Sequence, residues 1–257
     1  MTGTSKPHRR NSSANFRKSS CNGRAIHNAI LLELPRGESE RVFLKMEFIQ
    51  LPSRSVLNVM GESIKFVYFI NSGLASILNV MPDGKSVEVG LTGQEGFVGL
   101  PIAVGFETSP TLAIMQVAGT AFRVSAEAMK KILRVSPELA KQLHRYTFEL
   151  ALQGAQLAAC NRLHEVDERL ARWLLMSQDR VGSSNFLLTQ ESLSTMLGTR
   201  RASVTIAAGI LQKAGLITYQ RGHVKIENRG ALEKASCDCY RILNQQLKSW
   251  HNHSHSS

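Results

Sequence analysis

Cysteine is scarce in these 257 residues, acids are missing from the first two dozen, and apolar runs are short. Four cysteines, Cys21, Cys160, Cys237 and Cys239, are too few and too scattered to frame a disulfide-stapled fold in a chain this long. No apolar run approaches the roughly 18 residues needed to cross a bilayer, so no membrane association is expected. The opening stretch MTGTSKPHRRNSSANFRKSSCNGR holds six Lys/Arg and no acid, and it lacks the apolar centre of a secretory signal. Its Ser- and Arg-rich composition loosely suits an organellar transit peptide. A disordered basic tail over residues 1–28 is the plainer reading, because such a composition cannot offset the entropy of ordering. No nucleophile–base pairing, phosphate loop or metal-ligand spacing stands out, so an enzyme is not expected.

What is present is an uneven charge. Residues 25–159 carry twelve basic and twelve acidic side chains, whereas residues 160–257 carry thirteen basic and eight acidic. A neutral module is thus joined to one suited to a polyanion. From Ile49 to Phe122 short β-runs alternate with turn signals. KFVYFI (65–70) precedes Asn71-Ser72-Gly73, LASILNV (74–80) precedes Met81-Pro82-Asp83-Gly84, KSVEVGL (85–91) precedes a Gly-rich stretch, and TLAIMQV (111–117) precedes Ala118-Gly119. Turns about every ten residues predict an antiparallel β-roll over 29–135.

After Arg134 the period changes. Ser136-Pro137-Glu138 offers a hydroxyl N-cap, a proline where no N–H is needed, and an acid in the first turn. Leu139, Leu143, Tyr146, Leu150, Gln153, Leu157 and Cys160 follow at alternating steps of four and three. That seam suits a dimerisation helix over 136–162, with Gly154 beside it; the alternative is an amphipathic helix lying on its own β-domain. Leu170, Trp173 and Leu174 predict a further helix over 166–178, and 179–185 reads as a loop.

Gln190 onward reads as a helix-turn-helix of about twenty positions. Leu193 anchors the first helix, Ser194 is small where the helices cross, Leu197 is apolar, Gly198 permits the turn, and Val204 and Ala207 face the core. Ile210, Leu211, Leu216 and Ile217 continue the core, and Gly215 ends the helix. ITYQ, Arg221-Gly222 and HVKI then predict a β-hairpin wing, completing a winged helix over 163–232. Residues 189–229 hold Arg200, Arg201, Lys213, Arg221, Lys225 and Arg229 against Glu191 and Glu227. With the second helix in the major groove, Arg201 can offer its planar fork to guanine, and Thr205 can reach a base edge or phosphate. Thr189, Gln190, Arg200, Arg221 and His223 are expected at phosphates, and Ser203 completes the candidate DNA-binding set. Each of these has an ordinary solvated role as its alternative. A C-terminal helix and His/Ser tail are expected over 233–257. Cys237-Asp238-Cys239 with His251, His253 and His255 could suggest metal, but two neighbouring thiols make an incomplete site, and ordinary helix and tail residues are the expectation.

Roll, long helix and winged helix in this order give an α+β chain that resembles the Crp/Fnr superfamily of transcription regulators over about residues 30–245. VYFINSGLAS (67–76), DGKSVEVGLTGQEGFVG (83–99) and LTQESLSTMLGTRRASVTIAAGILQKAGLITYQRG (188–222) carry the resemblance. It implies a cyclic-nucleotide-binding-like roll and a homodimer that binds a (pseudo)palindromic site on double-stranded DNA in the cytoplasm, with RNA polymerase as a further partner. Cyclic-AMP-binding members carry a Glu where Leu100 stands and an Arg-Ser pair where Thr108-Ser109 stand. Without a guanidinium a buried cyclic phosphate would lack the partner that offsets its desolvation, so cyclic AMP is not expected. Iron-sulfur members use several N-terminal cysteines; only Cys21 precedes Cys160, so neither that cluster nor another cofactor is expected. The cyclic-AMP receptor reads DNA with an Arg-Glu pair and a second Arg one turn on; here those positions hold Arg201, Ala202 and Ile206, which implies a different operator. The competing reading is a signal-binding or interaction module whose winged helix docks protein or RNA.

Overall fold

The computed structural model describes residues 20–21 and 23–245. A short hairpin of β1 (Ser20–Cys21) and β2 (Arg24–Ala25) leads into helices α1 (Ala29–Glu33) and α2 (Arg36–Phe43). The roll follows: β3 (Glu47–Leu51), β4 (Val56–Asn58), β5 (Phe66–Val80), β6 (Ser86–Thr92), β7 (Phe97–Val98) and β8 (Leu112–Ser125), with α3 (Leu100–Ala103) between the last two. Its sheet runs β3-β8-β5-β6, with β4 paired to β8 and β7 to β5, every pairing antiparallel.

Residues 1–19 of the expected tail lie outside the described residues, but its end is folded. Cys21, Ile26 and Asn28 are buried. The Asn28 amide donates to the carbonyls of Ile70 (2.9 Å) and Gly96 (2.8 Å), while its oxygen caps α1 at Leu31. Two apolar side chains and a satisfied polar anchor outweigh the basic composition that surrounds them.

Asn71-Ser72-Gly73 is not a chain reversal, contrary to its composition. β5 runs through it as a series of bulges against β8, which in turn runs unbroken through Ala118-Gly119. Gly73, at φ +84°, lies so close that a Cβ there would sit 2.7 Å from the Val117 and Ala118 carbonyl oxygens. Glycine thus marks a close approach of two long strands. Met81-Pro82-Asp83-Gly84 does reverse the chain, with Met81 N–H donating to Lys85 O at 2.7 Å.

Helices α4 (Ala126–Leu133) and α5 (Pro137–Leu163) leave the roll. The expected Ser136 cap makes no side-chain hydrogen bond, and Ser136 Oγ is buried with no partner among the described residues. Glu38 of α2 takes the task instead, accepting from the Glu138 and Leu139 N–H groups at 3.2 and 3.1 Å. A carboxylate at the positive end of a 27-residue helix satisfies the orphan donors better than a hydroxyl. The α5 seam is covered within the chain: Leu139, Leu143, Tyr146, Gln153, Leu157 and Cys160 are buried without a second copy. Tyr146 Oη donates to Thr92, and the Gln153 side chain accepts from Leu91 N–H at 2.6 Å. The alternative weighed from sequence, a helix on its own β-domain, accounts for this face up to Gln153, and Cys160 at its end packs on Cys237 and Cys239.

Beyond α5 come α6 (Val166–Val181), β9 (Asn185–Leu187), α7 (Gln190–Leu197), α8 (Arg201–Lys213), β10 (Ile217–Gln220), β11 (His223–Ile226) and α9 (Arg229–Ala235). The expected loop at 179–185 is shorter, since α6 continues to Val181 and Asn185 opens a third wing strand paired to β11. Helical backbone resumes at Cys239 and continues to residue 245; His251, His253 and His255 lie outside the described residues. One apolar core joins the two halves: Leu74, Leu78 and Leu91 of the roll pack with Trp173, Leu174, Leu193, Leu197, Val204 and Leu211. Among the described residues no helix is long and apolar enough to cross a membrane.

Candidate nucleic-acid interface

The α7–α8 joint is built from local rules. Thr189 caps α7 by accepting from Ser192 N–H at 3.1 Å, and Gly198 takes the left-handed conformation (φ +56°) that ends it. Three residues later α8 begins, with Arg200 at its N-cap. Val204, Ala207, Ala208 and Leu211 are buried, which turns the opposite face of α8 to solvent. Arg201, Ala202, Thr205 and Ile206 occupy that face, Ile206 at 66% exposure. Ile210, expected in the core, is 48% exposed.

The other candidates fall around this face. Arg201 Nε donates to Gln190 Oε1 at 3.3 Å, so the two helix starts share a contact that orients the guanidinium outward. Ser203 is half-buried, and the Thr205 hydroxyl donates to Arg201 O at 3.1 Å. The Thr189 hydroxyl is already committed to Ser192, accepting from its N–H and donating to its Oγ. In the wing, Arg221 (φ +49°) and Gly222 (φ +81°) make the two-residue turn between β10 and β11, both left-handed as this tight hairpin requires. Arg221 and His223 are exposed at its tip. Tyr219 supports the wing by donating to Leu188 O at 3.1 Å; burial raises its hydroxyl pKa, opposed by the nearby Arg201 charge.

Two basic residues counted toward this face serve elsewhere. Lys225 pairs with Glu227 at 2.7 Å. Arg229 is held by Asp179 (2.7 Å) and Glu233 (2.9 Å) and donates to Tyr240 Oη, fastening α9 to α6 and the C-terminal helix. Of the six, those that remain outward are Arg200, Arg201, Lys213 and Arg221.

Residues that sequence reasoning did not single out dock the winged helix on the roll. Glu88 of β6 is buried and accepts from Trp173 Nε1 of α6 at 2.9 Å and from Ser76 Oγ at 2.7 Å. Desolvation pushes its carboxyl up to about 7, against the pull of these two donors and of Arg172 and Arg180. Arg180 Nε meets Glu95 Oε1 at 2.7 Å, and a Cβ on Gly198 would lie 2.7 Å from Val87 Cγ2. The only signal was a Glu inside the apolar run KSVEVGL. In the roll, Leu100 lies in α3, and Ser109 is buried with its hydroxyl donating to Thr111 O at 2.7 Å. Leu51, Leu57, Tyr68, Ile70, Val98 and Met115 pack together inside.

A family model described as a Crp-like helix-turn-helix domain matches residues 168–235, and one described as a cyclic nucleotide-binding domain matches 48–136. A search of curated proteins gives no match. Among solved structures, FixK2 from Bradyrhizobium japonicum superposes with a TM-score of 0.64 at 15% identity, covering 75% of this chain and 98% of that one. A putative transcriptional regulator of the Crp/Fnr family from Eubacterium rectale gives 0.63 at 17%, covering 81% and 98%. CLP from Xanthomonas campestris, titled as a c-di-GMP-responsive global regulator, gives 0.63 at 17%, covering 76% and 100%.

Proposed function

The chain belongs to the Crp/Fnr superfamily of transcription regulators, and on that premise we propose that it binds a (pseudo)palindromic operator as a homodimer through the outward face of α8. The observation that carries this is the split of α8 into a buried side and an exposed side bearing Arg201, Ala202, Thr205 and Ile206. Laid in the major groove, Arg201 donates to guanine O6 and N7, a contact worth about 1–3 kcal/mol of discrimination. Ala202 and Ile206 offer methyl groups where the cyclic-AMP receptor places charge, and apolar contact favours the thymine methyl. Arg200, Arg221 and His223 grip phosphate, as does Gln190 at the start of α7, while Thr189, its hydroxyl taken by Ser192, sets that helix start and Ser203 borders the helix.

Since the α5 seam is covered by its own roll, two copies pair through the opposite face, where Ala151, Ala155 and Ala158 are exposed at alternating steps of four and three. The two recognition helices then meet half-sites about one helical turn apart. The roll takes no cyclic AMP: Leu100 offers no acceptor to a ribose, Thr108 offers no cation, and Ser109 is turned to the backbone. Its signal is another ligand, or its role is structural. The protein works in the cytoplasm with RNA polymerase and catalyses no reaction.

Selection of sites from random duplex DNA, with affinity followed against salt, tests this reading. The expected result is a two-fold-symmetric consensus containing guanine and thymine, and a log–log salt slope of about −0.9 for each phosphate neutralised. Arg201→Ala should relax preference at one base pair per half-site, and Arg221→Ala should weaken all sequences alike. Sequence-indifferent or absent binding refutes the operator reading and favours a module that docks protein or RNA.

A further inference from the structure

The end of α5 and the segment after α9 bring together four groups far apart in sequence. Cys160 and His164 stand one turn apart at the end of α5, and Cys237 and Cys239 flank the start of the C-terminal helix. One donor atom from each lies within 4.8 Å of all the others. Cys160 Sγ is 3.4 Å from Cys237 Sγ, and Cys239 Sγ is 3.5 Å from His164 Nδ1. The three thiols are buried and unbridged, and the imidazole is half-buried. We propose that Cys160, His164, Cys237 and Cys239 form a four-coordinate site for one thiophilic divalent cation of the Zn²⁺ class, which fastens the C-terminal segment to the last turn of α5.

The spacing selects a single ion. A tetrahedral Zn²⁺ with bonds of about 2.3 Å to sulfur holds its ligand atoms about 3.8 Å apart, close to the two edges measured here. An iron-sulfur cluster binds its thiolates on different irons and needs them spread wider than one ion does. Three thiols and an imidazole also form a soft donor set that suits Zn²⁺ and excludes Mg²⁺ or Ca²⁺. Binding releases the thiol protons to solvent and leaves a site with one net negative charge. The surroundings suit that charge. Gln156 Nε2 donates to Cys239 Sγ at 3.1 Å, orienting it from one turn back along α5. Arg172 and Arg169 of α6 act electrostatically on Cys160 and Cys237, and the Nε of each is buried with no partner among the described residues. Two buried cations beside three neutral thiols are costly; beside a metal–thiolate centre they are compensated.

The site's place in the fold gives it a consequence. Only His164 and Glu165 separate α5 from α6, where the chain turns from the long helix into the winged helix. A cation there ties the end of α5 to the C-terminal segment at that joint. Tyr240 and Leu243 already dock the C-terminal helix on the same core, so removing the ion should loosen the joint without unfolding the domain.

The test uses the full-length chain purified under reducing conditions. Elemental analysis should find one Zn²⁺ per chain, and Co²⁺ added to chelator-stripped protein should give tetrahedral ligand-field bands with thiolate charge-transfer absorption. His164→Ala and Cys237→Ser should each weaken Zn²⁺ binding against a competing chelator by more than the 10–100-fold typical of second-shell losses. Cys21→Ser, in the β1 hairpin, should bind as the parent does. Folded protein that takes neither ion overturns the proposal, as do variants that keep the parent affinity. A Cys160–Cys237 disulfide forming in protein whose reduced state binds no Zn²⁺ also overturns it, pointing to a dithiol pair instead.

Discussion

Glu88→Gln is the sharpest probe of how the winged helix sits on the roll. The carboxylate is fully buried between Trp173 Nε1 and Ser76 Oγ, and its pKa is raised from 4.5 to about 7, with desolvation as the leading cause. A carboxyl whose folded pKa is raised contributes stability that is fully present below its unfolded pKa. That contribution is lost as pH climbs through 4.5 toward about 7. At 1.36 kcal/mol per pKa unit, the loss between about pH 5 and about pH 8 is on the order of 2–3 kcal/mol. Glutamine keeps the shape and an oxygen for Trp173, and its amide can donate to Ser76 Oγ, but it never ionises. Denaturant midpoints for parent and variant, measured across that range, should therefore converge in acid and separate in base, with the variant the more stable. The difference between the two curves cancels the titration of every other group that the substitution leaves undisturbed. Parallel curves refute the reasoning, because they mean that the Glu88 charge is solvated or paired in the folded state.

Three further perturbations have equally definite outcomes. Gly198→Ala combines left-handed backbone with a Cβ 2.7 Å from Val87 Cγ2; a loss of about 1–3 kcal/mol is expected, and a neutral thermal midpoint would mean the helix-turn-helix joint does not press on β6. Glu38→Ala removes the acceptor from two N–H groups at the start of α5 and should cost about 1–2 kcal/mol in urea unfolding, whereas Ser136→Ala should cost little. Equal losses from the two would return the cap to Ser136. Cyclic AMP at saturating concentration should leave the melting temperature and operator affinity unchanged; a rise in melting temperature would show that Leu100, Thr108 and Ser109 still admit it.

The helix-turn-helix was legible because its rules are local. The apolar spacing from Leu193 to Ala207, the Gly198 turn and the Arg221-Gly222 hairpin are each read within a few residues, and each stands where its spacing puts it. The roll was legible as a class but not in its strand limits. Asn71-Ser72-Gly73 has the composition of a turn, and only the approach of Ala118 and Gly119 from another strand turns it into a bulge. The α5 seam failed in a different way. A stripe of apolar residues states that something covers it and says nothing of what, so burial by β6 and by a partner helix look alike in sequence. Cys160 and Cys237 are 77 residues apart, and no ligand spacing within one segment could have joined them.

Several long-range contacts converge on one strand. Along β6, the Leu91 N–H is held by Gln153 of α5, Glu88 by Trp173 of α6, and Val87 presses on Gly198 between α7 and α8. Roll sheet, long helix and helix-turn-helix joint therefore meet within five residues of a single chain segment, Val87 to Leu91. Packed cores leave little free volume, so Val87 of β6 and the Gly198 turn between α7 and α8 share one tightly packed contact. Contact between the roll and the winged helix thus does not depend on the chain path through the distant end of α5. It runs across β6 directly, with the buried carboxyl of Glu88 held by Trp173 at its centre.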